Sequence, residues 1–273
     1  WETLLASRHH LHAPEAARLL DVPEAALVAS RVGSGATRLV PDLKQVLAPV
    51  SDWGRVLCAF SNACGVHMPL GVVEASSANG ALRLSGEHMD AELDASAVKD
   101  AYLFIDSDES HGNTRSVQFF DAAGDTVLKV FIFHKTRFLE GERHFERLAH
   151  ADQSMTVSPG LPGPGDFDAE AASTTQDPEG QPLNGEVREE IARLLRAPGQ
   201  IELELVGDHA RVTWRGAISG ARIDEAMFHL HEPDVRSHLR YAPVSGLSLA
   251  RSGALVLSGD EGRLLRVSAG ARS

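Results

Sequence analysis

Cysteine is scarce in this chain of 273 residues: there are two, Cys58 and Cys64. They make no disulfide framework and are expected as small thiols of the core. Basic charge is also short, with 26 Lys and Arg against 38 Asp and Glu and a net charge of −12. That balance argues against nucleic acid or an anionic membrane as partner, because phosphate binding needs a basic face. A local basic pocket for a small anionic ligand stays open. No apolar run approaches the ~20 residues that span a bilayer, so no membrane insertion is expected. No signal peptide pattern is visible, which sets the cytoplasm as the expected compartment. Absent too are the Gly-x-Ser-x-Gly elbow, the Walker loop, His-Glu-x-x-His and Cys-x-x-Cys, so no catalytic motif declares an enzyme.

What the chain does have is a repeat. One run from Trp53 to about His134 and another from about Ala197 to Ala269 read as copies of one all-β module closed by a hairpin. The opening strands align as Gly54 to Met68 against Gly199 to Trp214, and the closing hairpins as Ser116 to Val130 against Ala254 to Val267. Thr213 then stands where the first copy has His67. Tandem halves of this kind tend to place a site where they meet.

Around the repeats the pattern changes. Residues 1–52 read as helical and packed on the first repeat, with two short helices around Asp21-Val22-Pro23 and Asp21 expected to cap the second. A further short helix is expected over Pro41 to Leu47. From Trp53 the apolar period becomes two, the signature of strands. Residues 53–150 form the first repeat, ending in a helix from Phe138 to His150. Residues 151–185 are rich in Pro, Gly, Asp, Ser and Thr and read as a linker. Residues 186–273 form the second, more diverged repeat, opened by a helix from Glu186 to Arg196.

Three segments resemble the haemin-utilisation family of the HemS/ChuX type. Arg115-Ser-Val-Gln-Phe-Phe-Asp-Ala-Ala-Gly-Asp-Thr-Val-Leu-Lys-Val-Phe is similar to its RSLQFFDxxGxxxHKVY hairpin. Asn62-Ala-Cys-Gly-Val-His-Met-Pro-Leu-Gly resembles its RNExxVHExxG stretch, and Leu20 to Arg31 followed by Gly35-Ala-Thr-Arg-Leu completes the set. The resemblance implies an α+β fold of two tandem antiparallel repeats with flanking helices, and haem as the ligand. It implies a cytoplasmic protein that traffics or stores haem. Haem degradation of the haem-oxygenase kind is the enzymatic version. A reductase or a membrane haem importer would be the partner, with a homodimer left open. The alternative is a diverged interaction or structural module on the same fold.

The family's iron-binding histidine follows the first repeat in a D-x-H-x-F-F helix, and here the Pro/Gly-rich linker stands in its place. The axial ligand is therefore sought at His67, in the motif stretch, and at His88, in Gly86-Glu-His-Met. Imidazole nitrogen suits haem iron. Arg38, Lys129 and Arg272 are the expected clamps for the propionates, since a cation pairs strongly with a carboxylate. His229 and His231 alternate along a strand and project to one face, a pair able to bind a metal but with no evident third ligand. His9, His10 and His12 cluster near the N-terminus, where metal affinity would be adventitious.

Overall fold

A computed structural model describes residues 13–78, 80–108, 112–157, 181–182, 189, 191–193, 200–219, 221–225, 227–241, 244, 246–249, 254–259 and 262–269. Its body is two antiparallel sheets, each of nine strands. Sheet one runs β1 (Ala36–Leu39), β7 (Asp100–Asp108), β8 (Gly112–Phe120), β9 (Thr126–Ile132), β2 (Val56–Asn62), β3 (Gly65–Gly71), β15 (Val235–Arg240), β14 (Met227–Glu232) and β13 (Ala221–Ile223). Sheet two runs β10 (Gln181–Pro182), β16 (Gly246–Leu249), β17 (Leu255–Gly259), β18 (Gly262–Ala269), β11 (Gln200–Val206), β12 (Ala210–Ala217), β6 (Met89–Leu93), β5 (Ala81–Gly86) and β4 (Val73–Ala78).

The two orders are the same sentence with the repeats exchanged. Each repeat builds most of one sheet and lends its middle three-stranded meander, β4–β6 or β13–β15, to the other. The α+β, two-repeat antiparallel fold read from the sequence is what the structure has. The repeats are consecutive in the chain but interleaved in space.

The seams between them explain several motif residues. In sheet one, β3 pairs with β15, placing His67 opposite Ser237 and Gly65 opposite Leu239. Gly65 has φ +146, and a Cβ there would lie 2.1 Å from the His238 carbonyl oxygen, so only glycine lets the two repeats approach this closely. Asn62 accepts from the Cys64 amide at 2.8 Å and donates to the Val206 carbonyl at 2.7 Å, tying the β2–β3 turn to the second repeat. In sheet two, Arg215 of β12 bridges Glu202 and Asp90 at 2.7 and 3.1 Å.

The core fills both sheets. Trp53, Phe60, Phe119, Phe138, Phe145, Trp214 and Phe228 are essentially fully buried, and Cys58 and Cys64 are free, buried thiols with pKa values pushed up by burial to about 12 and about 11.

Short helices pack around the sheets. α1 (Ala13–Leu20) and α2 (Glu24–Ala29) lie at the start of the chain, where α2 buries Ala25, Val28 and Ala29, at i, i+3 and i+4, against Tyr102 and Phe120. α3 (Leu43–Leu47) is capped by Asp42, whose carboxylate accepts from the Gln45 amide at 3.0 Å. α4 (Lys135–Arg147) buries Phe138 and Phe145, the latter 5.4 Å from the Trp53 ring.

Some local expectations need correction. Asp21 does not cap α2. The helix begins at Glu24, so Pro23 occupies the cap position, and Asp21 sits in the turn with φ 52. The closing helix starts and ends three residues before the expected bounds, and His150 lies beyond it, its amide bonded to the Arg38 carbonyl. Thr213 is not the partner of His67 by face: Val212 and Trp214 point inward with the core, and Thr213 points outward. Of the expected 186–196 helix, residues 189 and 191–193 are helical, and the remainder lies outside the described residues, as does most of the expected 151–185 linker.

Candidate functional site

Register alignment across four strands puts Arg38, Tyr102, Gln118 and Lys129 in one row on one face of sheet one. Directly opposed residues share a face, so the sequence-separated cations Arg38 and Lys129 do come together on a single surface. Neither is held ready for a propionate. The Lys129 ammonium is bonded to Glu24 of α2, which also accepts from Thr126 at 2.7 Å, and the pair is buried beneath the helix. Arg38 donates to the Thr156 carbonyl at 2.6 Å, lies 3.8 and 3.6 Å from Asp100 and Asp152, and sits over the Tyr102 ring at 5.4 Å. Burial, with Asp100 beside it, pushes the Tyr102 phenol up to about 12.

A cavity of about 460 Å³ opens beside Arg38, lined by Lys99, Asp100, Ala122, Asp152, Ser154 and Thr156. Its walls are polar and carry both signs of charge, whereas a porphyrin needs apolar walls. Each of the two expected propionate clamps, Arg38 and Lys129, faces carboxylates of its own chain here. Arg272 lies outside the described residues.

His67 is completely buried. Its Nδ1 meets the Ser237 hydroxyl at 2.6 Å across the seam, and burial pushes its pKa down to about 3, so it is neutral at any physiological pH. Its Nε2 has no hydrogen-bond partner among the described residues. An imidazole sealed in the core cannot reach an iron. Alternation identifies the two faces of β3 and not which face the core covers; Met68 takes the opposite, less buried face.

His88 is the contrasting case. It occupies the two-residue turn between β5 and β6, its side chain 42% exposed and its Nε2 3.5 Å from the Asp234 carboxylate of the β14–β15 turn. That second turn is anchored in place, since the Asp234 carbonyl accepts from the Leu70 amide at 2.7 Å and Pro233 from Arg55 at 3.0 Å. Val72, 51% exposed, precedes the strand that pairs with the His88 hairpin. So an accessible imidazole and a carboxylate from the other repeat meet where the two lent meanders touch. Of the other described histidines near the first repeat, His144 contacts the Val46 carbonyl at 3.2 Å and His150 the backbone of Asp152.

Two arrangements escaped the sequence reading. His209 of the β11–β12 turn bonds Asp121 of the first repeat's hairpin at 3.1 Å, with both side chains largely buried. The hydrogen bond to Asp121 holds the His209 pKa above its ordinary 6.5. For Asp121, burial acts upward, but the His209 bond and backbone amides outweigh it and lower the pKa. The other arrangement is His238, which stands opposite His229 on β15. The signal for it was the Pro233-Asp234 dipeptide, a two-residue turn that fixes the hairpin register.

Comparison with known proteins agrees with this architecture. Residues 21–151 match the model of the haemin-degrading HemS.ChuX domain. The hemin transport protein HmuS of Yersinia pestis is 33% identical over 127 residues, and the hemin transport protein HemS of Yersinia enterocolitica 32% over 127. In each case the match spans 46% of this chain and only 36% of the relative's length. Among solved structures, the heme-binding protein PhuS of Pseudomonas aeruginosa superposes with a TM-score of 0.81 at 22% identity, covering 100% of this chain and 92% of that one. The heme degrading enzyme ChuS of Escherichia coli O157:H7 gives 0.79 at 17% identity, again over 100% of this chain and 92% of its own. The fold is thus shared over the whole chain with these solved structures, and residues 21–151 are similar to the HemS/ChuX-type domain.

Proposed function

We propose that this protein binds haem in the cytoplasm and carries or stores it for iron utilisation. The observation that supports this best is the match of residues 21–151 to the haemin-degrading domain family. His88 is the residue we assign as axial ligand. It is exposed, stands where the repeats meet, and has Asp234 within reach to accept a hydrogen bond from one ring nitrogen while the other binds iron. Bound haem would supply the iron that takes this nitrogen. The chain's own part is to present the imidazole at a fixed junction, Asp234 being held by the Leu70 and Arg55 contacts. His67 has an architectural role instead, joining the repeats through Ser237.

Binding is favoured over degradation because the arginine and lysine of the motif are neutralised by Asp100, Asp152 and Glu24 rather than facing an open, apolar cleft. The test is the absorption spectrum of the full chain with haemin. A sharp Soret band that persists on adding ascorbate with catalase present is the expected result. Rapid loss of the band would make the protein haem-degrading. A broad spectrum like that of free haemin would overturn haem binding and leave an interaction module on the same fold.

A further inference from the structure

The β14–β15 hairpin carries three imidazoles that the haem assignment does not use. The period of two along β14 puts His229 and His231 on its outer face, while Phe228 and Leu230 enter the core. Antiparallel pairing then sets His238 directly opposite His229 and diagonal to His231, which itself faces Arg236. One nitrogen from each of the three rings lies within 4.8 Å of the others. The His229 and His238 Nδ1 atoms are 2.8 Å apart, and the His238 ring sits 5.1 and 5.2 Å from those of His229 and His231.

A second observation points to a ligand. The far nitrogen of His229, Nε2, is 3.2 Å from Asp224 Oδ2. Asp224 is held in the β13–β14 turn by its own Oδ1, which accepts from the Met227 amide at 2.8 Å. A carboxylate behind an imidazole keeps the proton on Nε2 and aims the Nδ1 lone pair forward, which is how proteins orient metal-binding histidines. Here that lone pair faces the other two rings. Nitrogens on one tetrahedral ion, with bonds of about 2.1 Å, stand about 3.4 Å apart, so a slight opening of the His229–His238 pair makes room.

We propose that His229, His231 and His238 form a site for one divalent cation of the zinc class, with Asp224 positioning His229. Three neutral imidazoles suit Zn²⁺, Co²⁺ or Ni²⁺ and leave a fourth position for water or an anion. Arg236, opposite His231, brings positive charge to the rim, which favours an anion in that position.

The test uses the full chain with His9, His10 and His12 changed to Ala, so that the N-terminal cluster contributes nothing. Titration with Co²⁺ is expected to give tetrahedral d–d absorption that saturates at one equivalent and is displaced by Zn²⁺. His231→Ala removes an exposed ligand; it should abolish the absorption while leaving thermal unfolding in EDTA unchanged and the haemin Soret band intact. Asp224→Asn should weaken Co²⁺ binding about 10- to 100-fold. Absence of saturable absorption in the parent, or undiminished affinity in His231→Ala, would overturn the site.

Discussion

His67 and His88 lie in the same repeat, yet burial gives them opposite chemistry. His67 is sealed between β2, β3 and β15, bonded to Ser237 and neutral, whereas His88 is presented on a turn. Replacing His67 by Ala removes a buried ring and strands the Ser237 hydroxyl, so we expect it to cost about 2–4 kcal/mol in urea unfolding while leaving the haem spectrum of the folded protein unchanged. Gly124 of the first hairpin is a second architectural residue. It has φ +84, and a Cβ there would lie 2.6 Å from the Pro23 side chain. Its carbonyl also accepts from the Ala25 amide at 3.0 Å, docking α2. Gly124→Ala should destabilise by about 1–3 kcal/mol in the same assay. These residues were visible in the sequence as motif positions, but their work was not: Asn62, Gly65, His67, Asp121 and Gly124 mostly join parts of the chain that are distant in sequence. A motif match records that a residue is required, and only the fold separates a requirement of assembly from one of binding.

Turns meeting across the repeats set the next scale. The first repeat's hairpin turn, ordered by Asp121 accepting from the Ala123 and Asp125 amides at 2.9 Å each, presents the same carboxylate to His209 of the second repeat. Since the His209 pKa is raised in the folded state, its contribution is complete below the ordinary value of 6.5 and is lost as pH rises through the higher folded value. Thermal stability should therefore fall on going from slightly acidic to alkaline pH, and His209→Gln should flatten that slope. An equal slope in the variant would remove the contact from the account. Alternation along β14 was legible and gave His229 and His231, while His238 needed the pairing partner. Strands are read from local period; which strand lies beside which is read from turn geometry, and Pro233-Asp234 supplied it only once the hairpin was in view.

Across the whole molecule, the duplication was legible and the exchange of meanders was not. A three-stranded meander has the same alternating pattern whether it joins its own repeat's sheet or the other, so nothing in the sequence reports the choice. The consequence is that the first repeat alone leaves open edges at β3 and β6, and the second at β15 and β12, each covered by the other repeat. Residues 1–157 produced alone should aggregate or stay unfolded, and size-exclusion chromatography with circular dichroism would show it; a monomeric fragment with cooperative unfolding would contradict the interleaved fold. The same interleaving brings the β5–β6 and β14–β15 turns together, so the haem assignment depends on both repeats. Its most direct test is haemin titration followed at the Soret band for the full chain, His88→Ala and His67→Ala. The account predicts a sharp, saturable band for the full chain and for folded His67→Ala, and its loss in His88→Ala. A sharp band that survives in His88→Ala and disappears in folded His67→Ala would contradict it.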